Sequence, residues 1–259
     1  MTPIRKAIIC GLLFLATTAP ALAQTFSPGD VWTDTKLYFT APLRWDAEDW
    51  LYFGGALGAV AAAHQFDGNV RRHFANPTQP LDGKDPNSIR DAAPAAIAVV
   101  GTWVFSELAE APGGRIEAYS MLEAAALSSV TAEVFKFAAG RRRPSETTRV
   151  DDWRASGSSF PSLHATAAFA IGTVLAESGS DDFRWTRRLL GFGLATGTAY
   201  LRLHDNQHWL SDVVAGAAIG TATGAFVLQR RLDKVRNMEF SVTPAQGGGI
   251  MVGFNAVLN

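Results

Sequence analysis

The chain has 259 residues, with 23 basic and 24 acidic side chains and a formal net charge of −1 at neutral pH. This near-neutral balance excludes the strongly basic field that typifies nucleic-acid binding, and the single cysteine excludes an internal disulfide. The length is sufficient for one domain that buries its own core.

The N-terminal residues predict an exported protein. Arg5 and Lys6 precede a short apolar run, and the sequence ALA before Gln24 has the small-x-small pattern of a signal-peptidase site. The run is too short to span a bilayer comfortably. We therefore predict a cleavable signal peptide over residues 1–23, a helical domain over 24–236 and a C-terminal extension over 237–259.

Six mostly uncharged runs, rich in alanine and glycine, follow in chain order at residues 50–66, 92–106, 121–139, 163–176, 189–201 and 213–229. They predict an all-α bundle of about six helices that pack closely, and none contains 18 strongly apolar residues in succession. The last residues, MEFSVTPAQGGGIMVGFNAVLN, have two apolar stretches around three glycines. This pattern predicts a short C-terminal β-hairpin.

Chemically active side chains are predicted to meet at one end of this bundle. In an up-and-down arrangement, the end of the helix at 121–139, the start of the next helix and the turn between the last two helices share one pole. Three of the five histidines belong to this pole. Its members are Lys136, Arg141, Arg142, Arg143, Ser162, His164, Arg202, His204, His208 and Asp212.

Three short motifs occur in order within these segments. KFAAGRRRP fits K-x6-R-P through Lys136 and Arg143, PSLH contains Ser162 and His164, and LRLHDNQHWLSD fits R-x5-H-x3-D through Arg202, His208 and Asp212. Together they resemble the type 2 phosphatidic acid phosphatase and vanadium haloperoxidase superfamily over roughly residues 50 to 230. The chain departs from the usual family pattern at Leu163, where glycine is expected, and at Leu201, where serine is expected.

These residue types are suited to phosphoryl transfer. The negative charge of a transferring phosphate spreads over three oxygens, which cations can meet; Lys136, Arg143 and Arg202 are the predicted cations. Ser162 and the backbone N–H of Leu163 are predicted to add donors at a helix N-terminus, which favours an anion. We interpret Arg141 and Arg142 instead as a solvated helix end.

The resemblance implies roles for two histidines. His208 would attack phosphorus and form a phosphohistidine, and His164 would protonate the leaving alkoxide and later help to activate water. Asp212 follows His208 by four residues, so that a helix would place both on one face and the carboxylate could hold one imidazole proton. His164 could also be a buried residue at a helix start, but the three motifs together favour chemistry.

Alternative functions remain open at this point. His204, His208 and Asp212 could form a helical stripe that binds a divalent metal ion, although the surrounding cations repel a metal and favour an oxyanion. Two further alternatives are a haloperoxidase that holds vanadate and a non-catalytic anion-binding membrane protein with a decayed site. The sequence favours a metal-independent phosphatase that needs no cofactor.

The sequence leaves the substrate and the location open. The substrate is predicted to be a phosphorylated lipid, such as phosphatidate, polyprenyl diphosphate or lipid A, or a small soluble phosphomonoester. The leader and the weakly apolar helices favour a periplasmic or peripherally attached protein, whereas the uncharged helices favour the membrane. The predicted location is therefore the periplasm or a periplasm-facing membrane, without a nucleic-acid partner.

Overall fold

A computed structural model of the chain describes residues 28–75, 81–109, 112–179, 183–236, 238–245 and 249–256. Within these ranges, a 3-10 helix at Ala41–Arg44 accompanies eight α-helices: α1 (Pro28–Thr40), α2 (Ala47–His64), α3 (Asp67–Phe74), α4 (Ser88–Leu108), α5 (Pro112–Ala139), α6 (Leu163–Glu177), α7 (Arg184–His204) and α8 (Leu210–Arg236). Two strands, β1 (Met238–Ala245) and β2 (Gly249–Ala256), pair antiparallel with Met238 opposite Ala256. The predicted signal peptide, residues 1–23, lies outside the described residues.

Helix α6 is the centre of the bundle, because it packs against α4, α5, α7 and α8. Most of its side chains are buried, and small residues allow its neighbours to approach its backbone closely. A Cβ atom on Gly172 of α6 would lie 2.5 Å from the carbonyl oxygen of Gly191 in α7. A Cβ atom on Gly220 of α8 would lie 2.2 Å from the carbonyl oxygen of Thr166. The alanine- and glycine-rich composition therefore serves helix packing around α6.

The predicted helical fold is confirmed, but the predicted number of six helices is wrong, since the described residues form eight. The two additional helices, α1 and α3, contain several charged residues and have no long apolar run. Both are fixed by polar contacts with the bundle. The Tyr38 hydroxyl of α1 lies 2.8 Å from the Thr223 hydroxyl, and Asp67 of α3 is fully buried. Hydrophobic runs alone could not reveal them.

Among the described residues, one helical segment, Leu210–Arg231 within α8, is long and apolar enough to cross a membrane by length and composition. Half of its most apolar window is buried inside the bundle. A core helix of a soluble protein has the same properties, so this helix alone does not place the chain in a bilayer.

Candidate active site

Three chain segments meet at one end of the bundle. Lys136, near the end of α5, donates from Nζ to the carbonyl oxygen of Ser158 at 2.7 Å. The backbone N–H of Ser162, before α6, donates to the carbonyl oxygen of Asp212 in α8 at 3.0 Å. Arg143 donates to the side-chain oxygen of Gln207, in the turn between α7 and α8, at 2.8 Å. All three motif segments therefore contribute to one site.

His208 lies in this turn, just before α8, and its imidazole is buried. Its Nδ1 atom lies 2.8 Å from the carbonyl oxygen of Ser159, whereas the nearer carboxylate oxygen of Asp212 lies 3.6 Å away. A carbonyl only accepts, so Nδ1 carries the proton and Nε2 keeps a free lone pair. Burial and the charge of Lys136, followed by the arginines, hold the pKa of His208 well below its ordinary value. The imidazole is therefore neutral at pH 7.

Asp212 is connected to His208 through Ser159 rather than by a direct hydrogen bond. Its Oδ2 atom accepts from the Ser159 hydroxyl at 2.5 Å and from the Trp209 backbone N–H at 2.9 Å. Ser159 thus offers its hydroxyl to the carboxylate and its carbonyl to the imidazole. The predicted proximity of His208 and Asp212 exists, but α8 begins only at Leu210, so the pair is not part of one regular helix.

Arg141 is fully buried, and its interpretation as part of a solvated helix end is wrong. Its guanidinium donates to Asp212 at 2.7 Å and to Asp67 of α3 at 2.7 Å. The guanidinium also lies over the indole rings of Trp153 and Trp209, 4.4 and 5.0 Å from their centroids. Loss of this cation would leave two buried carboxylates without a partner, which is strongly destabilising, and its contacts with the two rings add cation–π attraction.

Arg141 and Arg142 differ in burial because α5 has already ended before them. Gly140 has a positive φ of 54° and follows Ala139, the last residue of α5. A glycine in this conformation terminates a helix, so Arg141 starts a loop that turns inward. Arg142 has a half-exposed side chain 3.8 Å from Asp152. In the sequence, Gly140 was the signal that α5 ends before the three arginines.

Lys136 lies close enough to the other two predicted phosphate-binding cations for their charge to affect its pKa. Lys136 is buried, and burial together with the charge of Arg143 lowers its pKa to about 8. Arg202 is fully buried at the end of α7, where it donates to Asp91 of α4 at 2.8 Å. Arg202, Arg143 and Lys136 all act on His208.

The start of α6 supplies the remaining predicted residues. Ser162 is fully buried and caps the helix, since its hydroxyl accepts from the N–H of Ala165 at 3.4 Å. Leu163 is the first helical residue and is half-buried. His164 follows, with Nε2 placed 3.1 Å from the carbonyl oxygen of Ser88 in α4. Burial and the charge of Arg202 lower the pKa of His164.

The helical stripe that the metal alternative requires does not form. Helix α7 ends at His204 and α8 begins at Leu210, so His204 and His208 do not lie on one helix face. The His204 side chain is 56% exposed and contacts Asp205, whereas His208 is buried. Across the described ranges, no group of three histidine, cysteine or acidic side chains is arranged to hold a metal ion.

Several residues at this site were not predicted from the sequence. They are Asp67, Asp85, Asp91, Ser159 and Gln207. Asp67, Asp85 and Asp91 come from α3, the following segment and α4, which precede the three motifs. Ser159 and Gln207 lie beside motif residues, but a lone serine or glutamine carries no signal that separates a site residue from a loop residue.

Cations that converge beside the N-terminus of a buried helix can hold a phosphate group; fold and site together thus define a helical protein with a cationic site of this kind. Comparison with known families narrows this class. Residues 117–236, which contain all three motifs, match the family model of the PAP2 superfamily.

Two curated proteins are similar to parts of the chain. A lipid A 1-phosphatase of Porphyromonas gingivalis is 34% identical over 89 residues, which cover 34% of this chain and 18% of that protein. A PA-phosphatase related-family protein of Dictyostelium discoideum is 26% identical over 141 residues, 48% of this chain and 52% of that protein. The chain thus matches about half or less of the length of these relatives. No solved structure matches it significantly.

Proposed function

We propose that the protein is a metal-independent phosphatase that hydrolyses phosphate esters through a phosphohistidine. The observation that carries this proposal is the neutral, buried imidazole of His208, whose Nδ1–H is held by Ser159 while three cations surround it. A neutral imidazole is a nucleophile, and cations stabilise the charge of a phosphate in transfer. The match to the PAP2 superfamily supports the same activity.

In the first step, Nε2 of His208 attacks phosphorus, and the bond between phosphorus and the ester oxygen breaks. Lys136, Arg143 and Arg202 stabilise the three outer oxygens, while Ser162 and the N–H of Leu163 add donors. Leu163 keeps its N–H although glycine is usual here. Arg202 follows Leu201, so the hydroxyl expected there is absent.

His164 is the general acid and base of this reaction. Its Nε2–H is directed to the Ser88 carbonyl, so Nδ1 is the atom left to exchange protons with the substrate. Protonated His164 gives its Nδ1 proton to the departing alkoxide. It then accepts a proton from water, whose oxygen attacks phosphorus and releases His208 and inorganic phosphate. Asp212 and Arg141 position His208 through Ser159 rather than touching the substrate.

A lipid phosphate is the proposed substrate class. The relative named lipid A 1-phosphatase supports it, and so do large apolar side chains exposed on the helices. Phe137, directly after Lys136, is 92% exposed. Others on α2, α4, α5 and α7 include Leu51, Leu57, Ile97, Trp103, Val134 and Leu189. Exposed apolar surface on this scale marks a membrane or partner interface, so we propose that the protein associates with a membrane.

The activity is tested with purified protein on lipid A, phosphatidate, polyprenyl diphosphate and nitrophenyl phosphate. We expect turnover that persists in EDTA, is inhibited by vanadate and disappears in His208→Ala. Loss of activity in EDTA, with recovery on adding a divalent metal, would support the metal-dependent alternative instead. A well-folded protein that binds phosphate but hydrolyses none of these esters would indicate a decayed site.

Location requires two separate measurements. Extraction of cell envelopes with carbonate distinguishes attachment types, because an integral protein stays in the pellet and a peripheral one is released. N-terminal sequencing tests export to the periplasmic side: we expect the mature chain to begin at or near Gln24. An intact Met1 in the envelope fraction would contradict the proposed cleavage.

A further inference from the structure

Residues 81–87, the part of the connection before α4 that the structure describes, contact the candidate active site. The N–H of Gly83 donates to the carbonyl oxygen of Ser145 at 3.3 Å. Gln207 donates to the carbonyl oxygen of Lys84 at 2.8 Å, while its own side-chain oxygen accepts from Arg143. The segment is therefore tied to the same side chain that holds a proposed phosphate-binding arginine.

Asp85 of this segment places its carboxylate on the proposed phosphate-binding cations. Its two oxygens accept from the two Nη atoms of Arg202 at 3.2 and 2.5 Å. Its Oδ2 atom also lies 3.6 Å from Nη1 of Arg143. Burial alone would raise the pKa of the Asp85 carboxyl, but the hydrogen bonds and charge of Arg202 bring it below its ordinary value. The carboxylate is thus ionised at neutral pH.

A guanidinium fork binds carboxylate and phosphate oxygens with the same two-bond geometry. Arg202 also donates to Asp91 from Nη1, so both of its Nη atoms already have acceptors. The Oδ2 atom of Asp85 lies between the two arginines, 2.5 Å from Nη2 of Arg202 and 3.6 Å from Nη1 of Arg143. A phosphate bound by both Arg202 and Arg143 would need the same guanidinium N–H groups that Asp85 now occupies. If Asp85 stayed in place, its carboxylate and the phosphate would be two anions in direct contact.

Charge balance leads to the same conclusion. Asp85 contributes one negative charge beside Arg143 and Arg202. Displacement of its carboxylate therefore makes the group more positive by one charge, which favours an incoming phosphate anion. Asp91 is fully buried behind Arg202 and also pairs with Arg90. Asp85 has a side chain that is 16% exposed and lies in a connecting segment, so it is the carboxylate that can give way.

We propose that Asp85 occupies the phosphate site of the ligand-free protein and competes with phosphate for Arg202 and Arg143. This inference rests on the proposed phosphatase function and adds a selectivity element to it. A substrate with a large leaving group gains additional contacts that offset the displacement of Asp85. Free inorganic phosphate has no such contacts, so the carboxylate favours release of this product and keeps small phosphate anions from saturating the site.

Asp85→Asn tests the inference, because it removes the charge but keeps the side-chain shape. We expect the inhibition constant of inorganic phosphate, measured against nitrophenyl phosphate, to fall by at least about tenfold. The KM of this small substrate should fall as well. Asp82→Asn is the matched control: it removes a charge from the same segment, but Asp82 contacts Lys84 rather than the arginines. This control should leave the phosphate inhibition constant within about twofold.

An unchanged inhibition constant in Asp85→Asn would overturn the inference, and a larger one would indicate instead that Asp85 orients Arg202 in the bound state. Asp85→Ser, checked by its thermal unfolding midpoint, provides a second variant if Asp85→Asn folds poorly. The proposed function fails separately, when the wild-type protein hydrolyses no phosphate ester. Calorimetry with inorganic phosphate would still apply in that case, and tighter binding by Asp85→Asn would support the competition without catalysis.

Discussion

Arg141 and Asp212 form an ion pair of 2.7 Å in which neither side chain is accessible to solvent. The same guanidinium binds Asp67, so that it connects α3 to the start of α8. Asp212 in turn accepts a hydrogen bond from the Ser159 hydroxyl, and the Ser159 carbonyl accepts from Nδ1–H of His208. In the proposed mechanism, Arg141 therefore helps to hold the Nδ1–H of His208 in place, which leaves Nε2 for phosphorus, although Arg141 has no hydrogen bond to this imidazole.

Replacement of Arg141 tests this connection. Arg141→Ala leaves two buried carboxylates without their cation, and we expect the free energy of unfolding to fall by about 3–5 kcal/mol. Denaturant unfolding measures this loss. Arg142→Ala is the matched control, since its half-exposed side chain makes no short ion pair, and a change of less than about 0.5 kcal/mol is expected. Similar losses in both variants would contradict the distinct role of Arg141.

The contrast between these two arginines shows what sequence could and could not predict. The letters RRR are identical, and only the backbone at Gly140 decides that Arg141 enters the core. By contrast, the motif residues could be assigned to one end because helix direction alone brings the end of α5, the start of α6 and the α7–α8 turn together. The carboxylates that pair with the motif arginines, such as Asp85 and Asp91, lie outside the motifs. Their positions in the sequence have no characteristic spacing from which this pairing could be predicted.

Helix number was underestimated for a related reason. Hydrophobic runs identify helices that bury apolar faces, but α3 has eight residues, DGNVRRHF, and its buried member is an aspartate. Its position depends on the contacts of Asp67 with Arg141 and with Ser211, whose N–H donates to it at 2.8 Å. Such a helix is specified by tertiary hydrogen bonds rather than by local periodicity.

Close packing around α6 gives a prediction for stability. Gly220→Ala would push a methyl group against the carbonyl of Thr166, and we expect a loss of about 1–3 kcal/mol because neither helix backbone can move freely. Gly193→Ala in α7 is the control: nothing lies within 4 Å of the added Cβ. This substitution should stabilise by up to about 1 kcal/mol through helix propensity. Equal effects in thermal unfolding would indicate that α6 and α8 are not in backbone contact.

The charge of Lys136 gives a prediction for pH dependence. Because burial and Arg143 lower the pKa of Lys136 to about 8, the ammonium is charged below this pH and is lost as the pH rises through it. We therefore expect kcat/KM for nitrophenyl phosphate to fall above about pH 8, since this parameter reports the free enzyme. The aryl ester is chosen because its leaving group needs little protonation by His164.

Lys136→Arg tests whether Lys136 causes this fall of kcat/KM at high pH. A guanidinium keeps its charge throughout the accessible range, so the decrease near pH 8 should disappear even if the rate itself is reduced by the altered geometry. A decrease that persists unchanged in Lys136→Arg would mean that another group titrates there, and the assignment of Lys136 to phosphate binding would lose its support.

The proposed roles of His208 and His164 can be distinguished by how each alanine variant responds to the leaving group of the substrate. His208→Ala should abolish turnover of every substrate, because no phosphohistidine can form. His164→Ala should reduce turnover of alkyl and lipid phosphates much more than that of nitrophenyl phosphate, since an alkoxide must be protonated as it departs and nitrophenolate need not be. With the aryl ester, the second step still lacks its base, so rapid mixing should show a burst of nitrophenol while phosphohistidine accumulates. The structure offers one nitrogen for this role, because Nε2 of His164 is directed to Ser88 and leaves Nδ1 for the substrate. Equal losses on both substrate types without a burst would show that His164 only positions phosphate.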